Sequence, residues 1–185
     1  MILPIYVYGE PVLREQAKEV DLKMEGLEQL LADMYETMAN ADGVGIAAPQ
    51  VGKSLRILIV DGRELTEDYP ELKDFIRYMI NPQVLWQSDS TTTYSEGCLS
   101  VPDINCDVER PSSIKVKYIN HKMEEVTEEF TGFACRMVQH ELDHLEGHLF
   151  VDRVSPIRRK LIGGKLRKIE GGNFRPRYKV HIPKR

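Results

Sequence analysis

The chain has little of several things, and each shortage removes a class of protein. Its 185 residues include three cysteines (Cys98, Cys106 and Cys135) and one tryptophan. An odd, sparse cysteine set builds no disulfide framework and suits a reducing compartment with thiols free for other work. No stretch approaches the roughly 18 apolar residues of a membrane span. The opening MILPIYVYGE lacks the basic and long apolar segments of a secretory signal. The net charge of −4 supplies no cationic surplus for nucleic acid. There are no repeats and no low-complexity blocks. These absences predict a soluble cytoplasmic protein with no membrane partner and no direct nucleic-acid site.

What is present is ordinary globular composition, 42% apolar and 29% charged. One domain over 1–185 is expected, with 171–185 as a basic C-terminal tail. After an extended arm with a turn or short helix at 11–16, Leu27, Leu30, Leu31, Met34 and Met38 repeat at helical spacing, which predicts a helix over 23–40. Leu55 to Val60 reads as a buried strand. Residues 63–75 read as a loop or surface helical turn. Tyr78 to Trp86 reads as a strand broken at Asn81-Pro82, and Thr91 to Tyr94 is β-prone. Ser113–Asn120 alternates as a half-buried strand and returns through Val126–Thr131 as a hairpin. A helix follows over 133–146. A last one starts with Ser155 as N-cap and Pro156 in its first turn and runs toward Lys168, weakened by Gly163-Gly164. The tail reads as a surface segment with a terminal strand at 178–182. Strands in runs around such helices argue α+β, with antiparallel β-sheets packed around a central helix flanked by an N-terminal helix and a C-terminal helix.

That central helix carries Gln139-His140-Glu141-Leu142-Asp143-His144. His140 and His144 lie one turn apart on one face and can aim two imidazoles at one metal ion, with Glu141 beside them as a general base. Two histidines do not complete a site. His148 lies about 12 Å from His140 along a helix, out of reach of the same ion. Phe150 stands where the metzincin motif needs its third histidine. A glutamate on a following helix fits the spacing. Cys98 is the better third ligand, because a thiolate with two imidazoles is an accepted catalytic set that leaves a position for water. Cys106 and Cys135 read as structural. Upstream, Gly43-Val44-Gly45-Ile46-Ala47-Ala48-Pro49-Gln50 has little side-chain bulk and lets a ligand approach the backbone closely. It is neither a dinucleotide fingerprint nor a P-loop.

GVGIAAPQ, EGCLS and QHELDH occur in this order, and together they resemble the three motifs of the peptide deformylases. The resemblance extends from Leu13-Arg14 to Gly147-His148-Leu149-Phe150 and stops short of the tail after about Lys168. It implies a metal-dependent hydrolase that removes formate from N-formyl-methionine at the start of new bacterial or organellar polypeptides. It implies Cys98, His140 and His144 as metal ligands, Glu141 as catalytic acid/base, and Gln50 with the Leu99 N–H as oxyanion donors. It implies Gly45 as a backbone contact for the peptide, and Glu96 as the family glutamate paired with an arginine, here Arg110. The implied metal is Fe²⁺, with zinc, nickel or cobalt taken up in purified protein. The implied partners are N-formyl-methionyl nascent peptides and the ribosome near its exit tunnel.

Helical spacing adds Phe133, Arg136 and Met137 before His140, with Val44, as the methionine pocket, Arg136 being the odd member at its rim. Asp143 is expected to make a structural pair with Arg153. Two other functions compete: a metalloendopeptidase sharing HExxH, and a non-catalytic metal protein.

Overall fold

A computed structural model describes residues 1–182. The chain forms β1 (Ile5–Tyr6), α1 (Leu27–Asn40), β2 (Gly45–Ala47), β3 (Ile57–Asp61), β4 (Ile76–Gln87), β5 (Thr91–Cys98), β6 (Val101–Pro111), β7 (Ser113–Ile119), β8 (Glu125–Thr131), α2 (Gly132–Leu145), α3 (Pro156–Glu170) and β9 (Val180–His181). Short 3₁₀ turns punctuate it, among them Pro11–Arg14 and Ala48–Val51. The architecture is mixed, with antiparallel sheets and three helices.

One antiparallel sheet has the order β2-β3-β4-β7-β8, so β2 is an edge strand. β5 and β6 form a separate antiparallel hairpin. β1 and β9 pair parallel, Ile5 opposite Val180 and Tyr6 opposite His181. The two ends of the described chain therefore meet.

Apolar periodicity explains the packing. In β3, Ile57, Leu58, Ile59 and Val60 are all fully buried, because both faces of the strand are covered. Ile57 and Ile59 face a cluster with Leu27, Leu31, Met34 and Met38 of α1. Leu58 and Val60 face the opposite cluster, with Cys135, Val138 and Leu145 of α2. α2 thus lies against β2, β3, β7 and β8. A third cluster joins Val7, Val101, Ile104, Cys106 and Val108 to Leu166 and Ile169 of α3.

Several expectations need correction. α1 begins at Leu27 and not near residue 23. The Asp21 carboxylate accepts from the Lys23 N–H at 2.9 Å, turning the chain, and Gly26 sits at φ 82°. The strand around Asn81-Pro82 is not interrupted. β4 runs through with a register shift, Asn81 adopts φ 51°, and its side chain bonds the Val20 backbone N–H at 2.7 Å and carbonyl at 3.0 Å. β6 had no counterpart in the sequence reading, which left 101–111 without an element.

Leu58→Ala is expected to remove about 2–5 kcal/mol of stability, the usual cost of a cavity in a core. Val84, 44% exposed, provides the control, and Val84→Ala should stay within about 0.5 kcal/mol. Urea denaturation of both variants measures the difference.

Candidate metal centre

α2 opens at Gly132, φ 60°, directly after β8. Its inner face buries Cys135 and Val138 and carries His140, Glu141 and His144 to the end of the β5–β6 hairpin. The hairpin turn holds Cys98, Leu99 and Ser100. The ligand atoms offered by Cys98, His140 and His144 all lie within 4.8 Å of one another. Cys98 Sγ is 3.4 Å from His144 Nε2. Among the described residues, His144 Nδ1 and the Glu141 Oε2 atom are buried without a hydrogen-bond partner.

The electrostatics fit a cation. Burial, reinforced by His140, lowers the His144 pKa to about 3, so its imidazole is neutral and ready to ligate. Burial also pulls His140 down, but the Cys98 sulfur and Glu96 outweigh it and raise the group well above its ordinary range. Burial raises the Glu141 carboxyl to about 7. Cys135, raised to about 11 by burial, and buried Cys106 are remote thiols inside apolar clusters.

Behind the ligands lies a buried charge network. The Glu96 carboxylate accepts from Arg110 Nε at 2.7 Å, Arg110 Nη2 at 2.9 Å and Arg136 Nη1 at 2.6 Å. Its Oε1 also lies 2.8 Å from His140 Nδ1, which leaves Nε2 of that ring for a metal. Burial raises the Glu96 pKa, but the Arg110 and His140 contacts prevail and hold it well below the usual carboxylate range. Asp143 accepts from Arg110 at 2.7 Å and from Arg153 at 2.7 and 2.8 Å. The expected Glu96–Arg110 and Asp143–Arg153 pairs are therefore parts of one system. Arg136, expected in the methionine pocket, borders the cleft, but its guanidinium faces the Glu96 carboxylate. Arg136 is buried, bonding the Val108 and Thr92 carbonyls, and does not sit at the rim.

Gln50 is buried in the turn after β2. Its Oε1 accepts from the Ala47 N–H at 2.9 Å, so its NH₂ must face the site. That NH₂ reaches Ser100 Oγ at 3.1 Å and Cys98 Sγ at 3.4 Å. Gly45 has two constraints. It lies on the edge strand, and a Cβ there would stand 2.5 Å from Glu141 Oε1. Gly43 faces Leu99, whose Cδ1 would lie 2.7 Å from an added Cβ.

The cleft in front of these groups encloses about 500 Å³. Val44, Phe133 and Met137 line it, Phe133 being stacked on Tyr69 with ring centroids 4.2 Å apart. The tail was not expected there. Arg175, Arg177 and Tyr178 form part of the wall. Only the 178–182 strand expectation gave any sign of order in that segment; the strand is shorter, at Val180–His181, and residues 183–185 of the tail lie outside the described residues. Ser100 was also missed, although it is fully buried and bonded to Gln50.

Two imidazoles and a thiol converge beside a buried carboxyl and an oriented amide, at the foot of a cleft bounded by an edge strand. Such a set fits the centre of a metal-dependent hydrolase. The polypeptide deformylase family model matches residues 2–160, and the chain belongs to that family. Peptide deformylase of Christiangramia forsetii is 40% identical over 99% of this chain and 97% of its own. That of Chlorobium phaeobacteroides is 44% identical over 97% and 95% respectively. The crystal structure of peptide deformylase from Thermotoga maritima superposes with a TM-score of 0.76 at 44% identity, covering 84% of this chain and 99% of that one. The Ehrlichia chaffeensis enzyme gives a TM-score of 0.82 at 32% identity, covering 94% and 99%.

Two substitutions probe this geometry. Gly45→Ala should push the Glu141 carboxylate aside and lower kcat by about 10²-fold or more, the scale of a misplaced catalytic group, while metal content stays normal. Activity within threefold of the parent would show that the carboxylate accommodates a methyl group. Arg110→Met takes one guanidinium from two buried carboxylates, which keep Arg136 and Arg153 as partners, and should cost about 1–3 kcal/mol in urea unfolding.

Proposed function

We propose that this chain is a metal-dependent hydrolase that removes the formyl group from N-formyl-methionine at the start of newly made polypeptides, releasing formate. The observation that carries the reading is the convergence of Cys98, His140 and His144 beside Glu141 and Gln50 at the head of an open edge strand. The whole chain acts as one catalytic unit, its sheets arranged about α2.

Cys98, His140 and His144 would hold the ion, with Fe²⁺ as the physiological metal and zinc, nickel or cobalt able to replace it. Such an ion would supply Lewis-acid activation of the attacking water and of the carbonyl. The residues do the rest. A substrate peptide lies extended along β2 and pairs with the backbone around Gly45. Its methionine side chain enters between Val44, Phe133 and Met137. Glu141, dehydrated by its surroundings, takes the proton of the attacking water and later delivers it to the departing amine nitrogen. Gln50 Nε2 and the Leu99 N–H donate to the carbonyl oxygen as it gains charge. Glu96 and Arg136 support this arrangement from behind by fixing His140.

The crowding that makes this site work also selects its substrate. Gln50, Leu99 and the ligands close around the carbonyl, leaving room for a formyl hydrogen and not for a methyl group. An endopeptidase would need space on both sides of the scissile bond.

The protein is expected to work in the bacterial cytoplasm, near the ribosomal exit tunnel. α3 supports this placement, since Arg158, Lys160, Lys165, Arg167 and Lys168 are all exposed on it. No helix among the described residues is long and apolar enough to cross a membrane.

Formate release from formyl-Met-Ala-Ser, without cleavage of casein, is the expected result. Acetyl-Met-Ala-Ser should be turned over at least about 10²-fold more slowly; parity between the two peptides would refute the crowded-site argument. Glu141→Gln should retain metal and lose turnover. Cys98→Ser should lose both, because a hydroxyl at neutral pH is a far weaker ligand than a thiolate.

A further inference from the structure

The segment after α3 lies beyond the residues matched by the family model, yet it forms part of the wall of the cleft. β9 fixes its course. Ile5 N–H donates to the Lys179 carbonyl at 2.9 Å, His181 stacks on Tyr6 with centroids 4.2 Å apart, and His181 Nδ1 lies 2.6 Å from buried Glu10. This anchoring places Tyr178, half-buried, beside the β5–β6 turn, where its hydroxyl donates to the Leu99 carbonyl.

That carbonyl belongs to the Leu99–Ser100 peptide. The N–H of the same peptide donates to Cys98 Sγ at 3.4 Å. Ser100 is otherwise held by its Oγ donating to the Tyr6 carbonyl at 2.6 Å and its own carbonyl accepting from the Tyr8 N–H at 2.8 Å. One planar amide thus links a phenol of the tail to the sulfur of the site. A hydrogen bond accepted at a carbonyl polarises the amide and strengthens the bond its N–H donates. An N–H aimed at a thiolate withdraws charge from sulfur, and such partners outside the ligand set tune a metal site.

We propose that Tyr178 is a positioning residue for Cys98, acting through the Leu99–Ser100 peptide to set the electron density on the ligand sulfur and the direction of the neighbouring Leu99 N–H. The inference rests on Cys98 being a metal ligand, as argued above. No contact between Tyr178 and the substrate is required. Loss of the hydroxyl should leave a more electron-rich sulfur and a looser turn, with the ring still packed in place.

The test is Tyr178→Phe in the full chain loaded with cobalt, beside Lys179→Ala as an exposed neighbour on the same segment. The parent should show a sulfur-to-cobalt charge-transfer band. In Tyr178→Phe that band should move to longer wavelength, and kcat for formyl-Met-Ala-Ser should fall about tenfold with KM nearly unchanged, the low end for a partner outside the ligand set. Lys179→Ala should leave band and kcat as in the parent. An unshifted band in Tyr178→Phe overturns the proposal whatever happens to kcat, because the route through Cys98 would then be absent. An equal shift in Lys179→Ala also overturns it, assigning the effect to the segment as a whole. A parent chain with no such band would remove the ligand reading of Cys98, and this inference with it.

Discussion

The rest of the site depends on one buried carboxylate. Glu96 comes from β5, its partner Arg110 from β6, and Arg136 and His140 from α2. A carboxylate taken from water costs several kcal/mol unless every lone pair is matched, so this group tolerates few arrangements of the three elements. The hairpin and α2 must meet at one depth and one angle for two guanidiniums and an imidazole to converge on it. Once they do, the His140 ring is oriented and its outer nitrogen is occupied. The network therefore works less as a source of stability than as a constraint on register. Asp143 extends it to Arg153, beyond the end of α2, so the helix is held along its length by charge as well as by its apolar face.

The chemistry of this chain was more legible than its framework. His140, Glu141 and His144 share a local helix, and helical spacing alone places them together. Cys98 and Gln50 are remote in sequence, and only the ordered motifs around them linked them to the helix. The helices were read from leucine and methionine spacing, with the error at α1 arising because Asp21 and Gly26 build a turn that periodicity does not register. β6 does alternate, with Ile104, Cys106, Val108 and Arg110 buried between outward polar residues. The signal was obscured because one of the inward residues is an arginine, which counts as polar in any pattern. Its burial is comprehensible only with Glu96 and Asp143 in place. Arg136 was misplaced at the rim for the same reason.

Gly45 shows how one position can satisfy separate demands. Its lack of a side chain suggested access for a peptide backbone. The fold adds a requirement from the opposite side, since the Glu141 carboxylate occupies the volume a Cβ would need. The edge strand and the Glu141 carboxyl are thereby in van der Waals contact, and a peptide aligned on β2 would be aligned with respect to Glu141 too. Gln50 follows the same logic: its carbonyl is bound by the backbone of the strand that precedes it, so the donor is aimed by the element that would receive the substrate.

The parallel pairing of β1 with β9 has a consequence for the order of synthesis. Ile5 and Tyr6 leave the ribosome early, whereas Val180 and His181 are made after the other strands and helices of the described residues. α2, the hairpin and the edge strand can therefore assemble while Tyr6 still lacks its stacking partner and the Leu99 carbonyl has no phenol to accept from. Synthesis order thus allows Cys98, His140 and His144 to come together before Arg175, Arg177 and Tyr178 complete the wall of the cleft.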